Sequence, residues 1–201
     1  MTDHTQHIGR PRRSSKRTLE EAAAELFLEQ TYAGTTVDQI AARAGVSRNT
    51  FFNYFASKSD VLWIDFDETI ERLANELAAS GEGGPVMDAV RNAIVRVAES
   101  HPDDRVPWAL TQVDLMGTRD ELEASGLRRF MKQAEVIRSF VASRLAEGER
   151  QLQPQAVAFA VLGAAAAAAG QWASAGVGRR PLAEYVAGAV GPVCAGFAAT
   201  V

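Results

Sequence analysis

Residues 35–58 read TTVDQIAARAGVSRNTFFNYFASK, and the order of caps, glycine and polar helix end in this stretch decides the fold. Thr36-Val-Asp-Gln39 has the spacing of a capping box, in which the threonine and glutamine side chains satisfy each other's orphan backbone amides, so a helix starts at Val37. Val37, Ile40, Ala41 and Ala44 share one side of it. Gly45 ends it, because a residue without Cβ tolerates the left-handed backbone of a tight turn. Ser47 caps a next helix, expected over 48–55, which sets Phe51 and Phe55 one turn apart for a core and leaves Arg48, Asn49, Asn53 and Tyr54 on other faces. Two short helices across a glycine turn form a helix-turn-helix, whose first helix braces and whose second enters the major groove of DNA. Arg48, Asn49 and Thr50 then stand at the N-terminal end of the presented helix, where they can read base edges or grip phosphates.

Upstream, Leu19, Ala22, Ala23, Leu26 and Phe27 recur at helical spacing and predict a first helix over 14–30, with Glu20, Glu21 and Glu25 opposite. Residues 8–17 carry Arg10, Arg12, Arg13, Lys16 and Arg17 without an acid. Downstream, residues 57–60 repeat a capping signature, and a fourth helix is expected to run to about Ser80 with Leu62, Phe66, Ile70, Leu73 and Leu77 facing inward. Gly81, Gly83, Gly84 and Pro85 make a loop. Further helices are expected over 86–99, 108–116, 121–147, 154–175 and 182–199, and little after Pro85 alternates as a strand should. The expectation is all-α with about nine helices: a flexible basic arm at 1–13, a helix-turn-helix DNA-binding domain at 14–60, and a helical domain at 61–201, for which ligand binding and dimerisation are what a family resemblance implies.

Composition excludes several classes. With 201 residues and 47% hydrophobic content the chain can bury a core of generous size. A net charge of −4 argues against nucleic acid as a partner, but the cationic charge is concentrated at one end. Cys194 has no partner for an intrachain disulfide, and no Cys/His cluster has metal-ligand spacing, so neither metal nor cofactor is expected and the cytoplasm is favoured. No apolar stretch follows the first basic residues as in a secretory signal. The apolar run 156–170 is too short and too rich in alanine for a membrane span. A phosphate-binding loop, a dinucleotide fingerprint and a nucleophile elbow are all missing, so no catalytic residue is assigned. His4 and His7 belong to the arm and His101 to a loop.

Residues 35–58 resemble the signature of the tetracycline-repressor (TetR) family, and with the first helix the likeness covers about a quarter of the chain. The resemblance implies that Thr35 and Thr36 approach backbone phosphate, that Ser47, Arg48, Asn49 and Thr50 face the groove, and that Tyr54 and Lys58 hold phosphates. Arg10, Arg12 and Arg13 would reach an adjacent minor groove. Phe52 departs from the tyrosine common there, has no hydroxyl for a phosphate, and is expected to pack beneath the recognition helix. The family implies a homodimer in which the eighth and ninth helices (154–175 and 182–199) pair with their mates, and Phe159, Leu162, Ala166, Leu182, Val186, Ala189, Val193 and Phe197 offer apolar surface for it. It further implies a small hydrophobic effector between helices 4 and 8, with Trp63, Phe66, Trp108, Gln112, Met116, Phe130, Met131, Ala134 and Gln171 as candidate contacts. The segments GRP at 9–11, TFFNYF at 50–55 and WIDFDE at 63–68 resemble regulators associated with mycofactocin gene clusters. That likeness implies acyl-coenzyme A effectors, for which Arg128, Arg129 and Lys132 supply a basic mouth. The implied function is a repressor released from a palindromic operator by its effector; the alternatives are a constitutive DNA-binding dimer and a helical enzyme.

Overall fold

The computed structural model describes residues 12–81, 83–102, 105–145 and 153–198, with side chains from Lys16 onward. Among these residues the regular structure is all helical. Helix α1 spans Arg12–Gly34 and breaks at Thr31, whose φ of 66° is left-handed, so the regular helix ends at Gln30 as the apolar spacing predicts. It begins earlier than expected and takes in Arg12 and Arg13; Arg10 and residues 1–11 lie outside the described residues, as do the side chains of Arg12 and Arg13.

Helix α2 (Val37–Arg43) opens with both arms of its capping box: Gln39 N donates to Thr36 Oγ1 at 3.2 Å, and Thr36 N donates to Gln39 Oε1 at 2.8 Å. Gly45 follows with φ 69°, and the Ser47 hydroxyl accepts from Thr50 N at 3.1 Å to start α3 (Arg48–Phe52). Phe51, Phe27, Leu19 and Ile40 are fully buried together, and the Phe51 and Phe55 rings meet at a tilt with centres 5.1 Å apart, so the three helices close on one small core.

The expected fourth helix is in fact three pieces: a 3-10 segment (Lys58–Trp63), α4 (Ile64–Ile70) and α5 (Leu73–Ala79). No proline or glycine breaks it. The cause is tertiary: Val61, Leu62 and Ile64 are buried in the N-terminal core while Leu73 and Leu77 belong to a second one. Likewise the stretch expected as one helix over 108–116 divides at Gln112 into α7 (Trp108–Thr111) and α8 (Val113–Met116). Ala109 and Met116 from these pieces enter the N-terminal core.

The second core lies among α5, α6 (Val86–Glu99), α9 (Arg119–Arg144), α10 (Gln153–Ser174) and α11 (Leu182–Phe197), with Val90, Ile137, Val157, Val161, Trp172 and Val190 fully buried. Helix α10 packs between α9 and α11. At 22 residues it is long and apolar enough to cross a membrane by length and composition, which corrects the sequence reading of that run as too short. Its Pro154, Val157, Ala158, Val161, Ala168, Trp172 and Ala173 are nevertheless buried inside the bundle, as in a core helix.

Polar contacts join the two cores. Both terminal nitrogens of Arg17 in α1 donate to Asp65 Oδ1 at 3.2 Å, and Trp108 Nε1 donates to Glu20 Oε1 at 3.1 Å. Glu20 is buried, and that burial raises its pKa, as does the nearby Asp65, while Arg17 and the Trp108 donor act the other way. Removing the side chain that closes the N-terminal core, Phe51→Ala, is expected to lower stability by about 3–5 kcal/mol, measured by denaturant unfolding.

Candidate DNA-binding surface and ligand cavity

The capped start of α3 presents Ser47, Arg48 and Asn49 to solvent, with Thr50 half-buried and its hydroxyl 2.9 Å from that of Ser47. Arg48 is already engaged: Nη1 donates to Asp38 Oδ2 at 2.6 Å, and its guanidinium carbon lies 5.3 Å from the centre of the Phe52 ring. Phe52 is therefore not packed beneath the helix; it is 44% exposed and props Arg48 from the side, with its edge against Phe51. Thr36 is exposed at the start of α2, and Tyr54 is half-buried just past α3. Arg43, on α2, donates to Glu25 and Glu29 of α1.

Two expected phosphate contacts are placed otherwise. Thr35 is 2% exposed, and its hydroxyl donates inward to the Thr31 carbonyl at 2.8 Å, so it has no free group to turn toward a phosphate. Lys58 donates from Nζ to the carbonyls of Tyr32 and Thr35, each at 2.7 Å, and sits 3.9 Å from the Tyr32 ring centre. Tyr32 belongs to the last turn of α1 and Thr35 follows its end, where helices leave acceptors unsatisfied. Burial lowers the Lys58 pKa, with the charge of Glu121 opposing the fall.

Between the helices of the second core lies a cavity of about 530 Å³, walled mainly by apolar side chains. Trp63 and Phe66 form one wall and Phe130 another, so the structure places these three candidates on it. The other six lie elsewhere. Trp108 tilts against Phe27 at 6.0 Å in the seam between the cores, Met116 is buried in the N-terminal core, and Gln112 sits at the break between α7 and α8. Met131 and Gln171 are exposed, and Ala134 is buried in the second core. Met131 and Gln171 each follow a residue that lines the cavity, Phe130 and Gly170, and one step along a helix turns the side chain by about 100°. Sequence reading missed Ile70, Leu73, Ile94, Val97, Leu162 and Gln133; the first four stand at helical spacing on α4 to α6, which was the available signal.

Trp63 is held closely. Its Nε1 donates to Ser125 Oγ at 2.8 Å, and its ring lies so near α9 that a Cβ on Gly126 would stand 3.0 Å from Cη2 and Cζ2. Arg129, one turn on, lies with its guanidinium carbon 4.9 Å from the centre of the Trp63 ring. It grips Asp67 with two nitrogens at 2.6 and 2.7 Å and reaches Asp60 at 3.1 Å. Burial alone would lower the Arg129 pKa; the bonds and charges of Asp67 and Asp60 more than offset it and raise the value. Behind Phe66, the buried His101 stacks at 5.9 Å and meets Trp172 edge-on at 5.2 Å, while its Nδ1 lies 3.3 Å from Thr69 Oγ1. His101 is in the loop after α6, as expected, and its ring forms a second layer behind the cavity wall.

The faces of α10 and α11 that look outward carry Gly163, Ala167, Ala187, Gly188 and Gly196. Most of the larger residues expected to form a dimer face are placed otherwise: Leu162, Leu182 and Val186 line the cavity, and Ala189, Val193 and Phe197 pack on the second core.

If Lys58 serves α1, Lys58→Ala should lower stability by about 1–2 kcal/mol in a thermal melt, from lost charge-assisted bonds. The salt dependence of DNA binding should keep its slope; a slope smaller by about one would restore the phosphate contact.

Residues 19–62 match the sequence profile described as bacterial regulatory proteins, tetR family, and residues 84–198 match the profile described as MftR C-terminal domain. The chain is 30% identical over 169 residues to the mycofactocin biosynthesis transcriptional regulator MftR of Mycobacterium tuberculosis, covering 84% of this chain and 85% of that protein. Among solved structures, FadR of Thermus thermophilus, a TetR-family repressor in complex with lauroyl-CoA, is 22% identical with a TM-score of 0.55, covering 89% of this chain and 92% of that one. NalD of Pseudomonas aeruginosa, the secondary repressor of the MexAB-OprM efflux pump, is 16% identical with a TM-score of 0.60, covering 92% and 98%. Those two likenesses concern the fold. The helix-turn-helix, the two profiles and the relative along most of the chain agree, and the protein belongs to the TetR family of bacterial transcriptional regulators, which are DNA-binding proteins and not enzymes.

Proposed function

We propose that this chain is a homodimeric repressor that leaves a palindromic operator when a small hydrophobic effector fills its cavity. The observation that carries the reading is the double duty of residues 58–70. Trp63 and Phe66 wall the cavity, whereas Val61, Leu62 and Ile64 of the same segment are buried with Phe51 and Phe55 under the recognition helix. A ligand that moves one side of this segment moves the other. In a dimer, two recognition helices must stand about 34–36 Å apart to meet successive major grooves, and a change in that spacing ends the fit. A few kcal/mol of differential affinity between the two shapes suffices.

The base-reading groups in this proposal are Ser47, Arg48, Asn49 and Thr50. Thr36 and Tyr54 take phosphates, and Arg10, Arg12 and Arg13 supply the arm. The head is residues 14–60, and residues 61–201 bind the effector and dimerise through the outward faces of α10 and α11, where small side chains let helix axes approach closely. An acyl-coenzyme A is the effector class favoured. The apolar volume suits an acyl chain, and FadR of Thermus thermophilus, which shares the fold, is in complex with lauroyl-CoA. A DNA-bound bacterial regulator works in the cytoplasm. The cavity argues for a ligand-responsive protein over a constitutive DNA-binding dimer, whose second core has no reason to stay unfilled.

The test is to select genomic fragments on the purified protein and repeat the selection with acyl-coenzyme A thioesters of increasing chain length. An enriched inverted repeat that is lost with the thioester is expected; the absence of any enriched sequence overturns the reading. On that duplex, Arg48→Ala should relax base preference at the contacted position by about 1–3 kcal/mol of discrimination, read from competition binding.

A further inference from the structure

Beside the apolar cavity lies a second hollow of about 200 Å³, lined by Asp67, Ile70, Glu71, Arg128, Arg129, Lys132 and Gln133. The two share Ile70, Arg129 and Gln133, so they adjoin through one wall. The polar groups there are unevenly matched. Gln133 is only 7% exposed, yet its amide makes no hydrogen bond to any described residue. Arg128 and Lys132, one helical turn apart on α9, have no carboxylate partner among the described residues. Arg129 between them is the opposite case. Its side chain is 15% exposed and holds two carboxylates, Asp67 bidentately and Asp60 by one nitrogen. The other oxygen of Asp60 accepts from Ser57 N at 2.9 Å, which caps the segment leading out of the recognition helix.

From this geometry we infer that the small hollow binds the anionic head of an amphiphile whose tail fills the cavity, and that the anion releases DNA by taking Arg129 from Asp60 and Asp67. The inference rests on the effector reading above and names the residue that transmits it. Arg128 and Lys132 supply charge that pairs with no carboxylate among the described residues, and Gln133 supplies an amide donor at the junction of tail and head. Arg129 has one guanidinium for two claimants. In the unliganded protein it ties α9 to α4 and to the cap at Ser57. When an anion enters beside Arg128 and Lys132, the attraction for Arg129 shifts toward the ligand and the tie to Asp60 weakens. The apolar tail selects the ligand, and the head operates the switch.

The test compares decyl phosphate with decanol below any micelle concentration, on the full-length protein and the duplex selected above. Calorimetry reads ligand binding, and fluorescence anisotropy reads DNA affinity. Both compounds should bind. Decyl phosphate should weaken DNA binding by about tenfold, within the range of ordinary couplings, and decanol by less than about twofold. In Arg129→Gln the effect of decyl phosphate should fall to that of decanol. In Asp67→Asn, where the competing carboxylate is gone, decyl phosphate should bind more tightly than to the unaltered protein. This variant also carries the test if Arg129→Gln does not fold. Equal release by both compounds, full release from Arg129→Gln, or unchanged affinity in Asp67→Asn overturns the inference and leaves the cavity reading standing. Failure of both compounds to bind the unaltered protein overturns that reading and this inference together.

Discussion

One stretch of thirteen residues, 58–70, has to satisfy two cores at once, and the arrangement of the molecule follows from that constraint. Val61, Leu62 and Ile64 are buried in the N-terminal core, and each is a burial worth about 1.5–3 kcal/mol. Trp63, Phe66 and Ile70 face the cavity from the same few turns. A regular helix turns successive side chains by 100°, whereas this segment must keep Val61, Leu62 and Ile64 in the N-terminal core and still turn Phe66 and Ile70 to the cavity. The chain answers with a 3-10 turn through Trp63, then resumes as α4. The site where regularity is lost is the site where the two halves of the protein touch.

The polar contacts at this seam do a different task from the apolar ones. Arg17 with Asp65, Trp108 with Glu20, and Arg129 with Asp60 and Asp67 are partly screened by solvent and add modestly to stability. Their directional, in part bidentate, geometry fixes the angle at which the head meets the bundle. Gly126 lets α9 come this near, because a Cβ there would stand 3.0 Å from the indole of Trp63 and press it away. An apolar seam alone would permit sliding; these contacts define one register.

The head was legible in the sequence because its signals are local. The Thr36 capping box, Gly45 and the Ser47 cap each act within four residues and appear in the structure as read. The cavity was legible only in part, since a cavity is a property of several helices whose rotations no local pattern fixes. Phe130 was placed on it and its neighbour Met131 was not, although the two look equally suited in sequence. Trp108 is an aromatic that packs into the seam, where Glu20 binds its indole, and nothing within its own helix announces a partner 88 residues away. Lys58 illustrates the same limit: its match to the family pattern suggested a phosphate ligand, while the carbonyls it holds come from the far end of α1 and just past it.

The arginines of the head are not bare. Arg48 is bound to Asp38, and Arg43 to Glu25 and Glu29, before any nucleic acid arrives. Contact with DNA at these positions is therefore an exchange of one anion for another, and only an acceptor that outcompetes a neighbouring carboxylate completes it. Random duplex, which offers charge but no matching base edge, is a poor rival for Asp38. In the proposed repressor, such internal counter-ions would let a chain of net charge −4 search a genome without adhering to all of it.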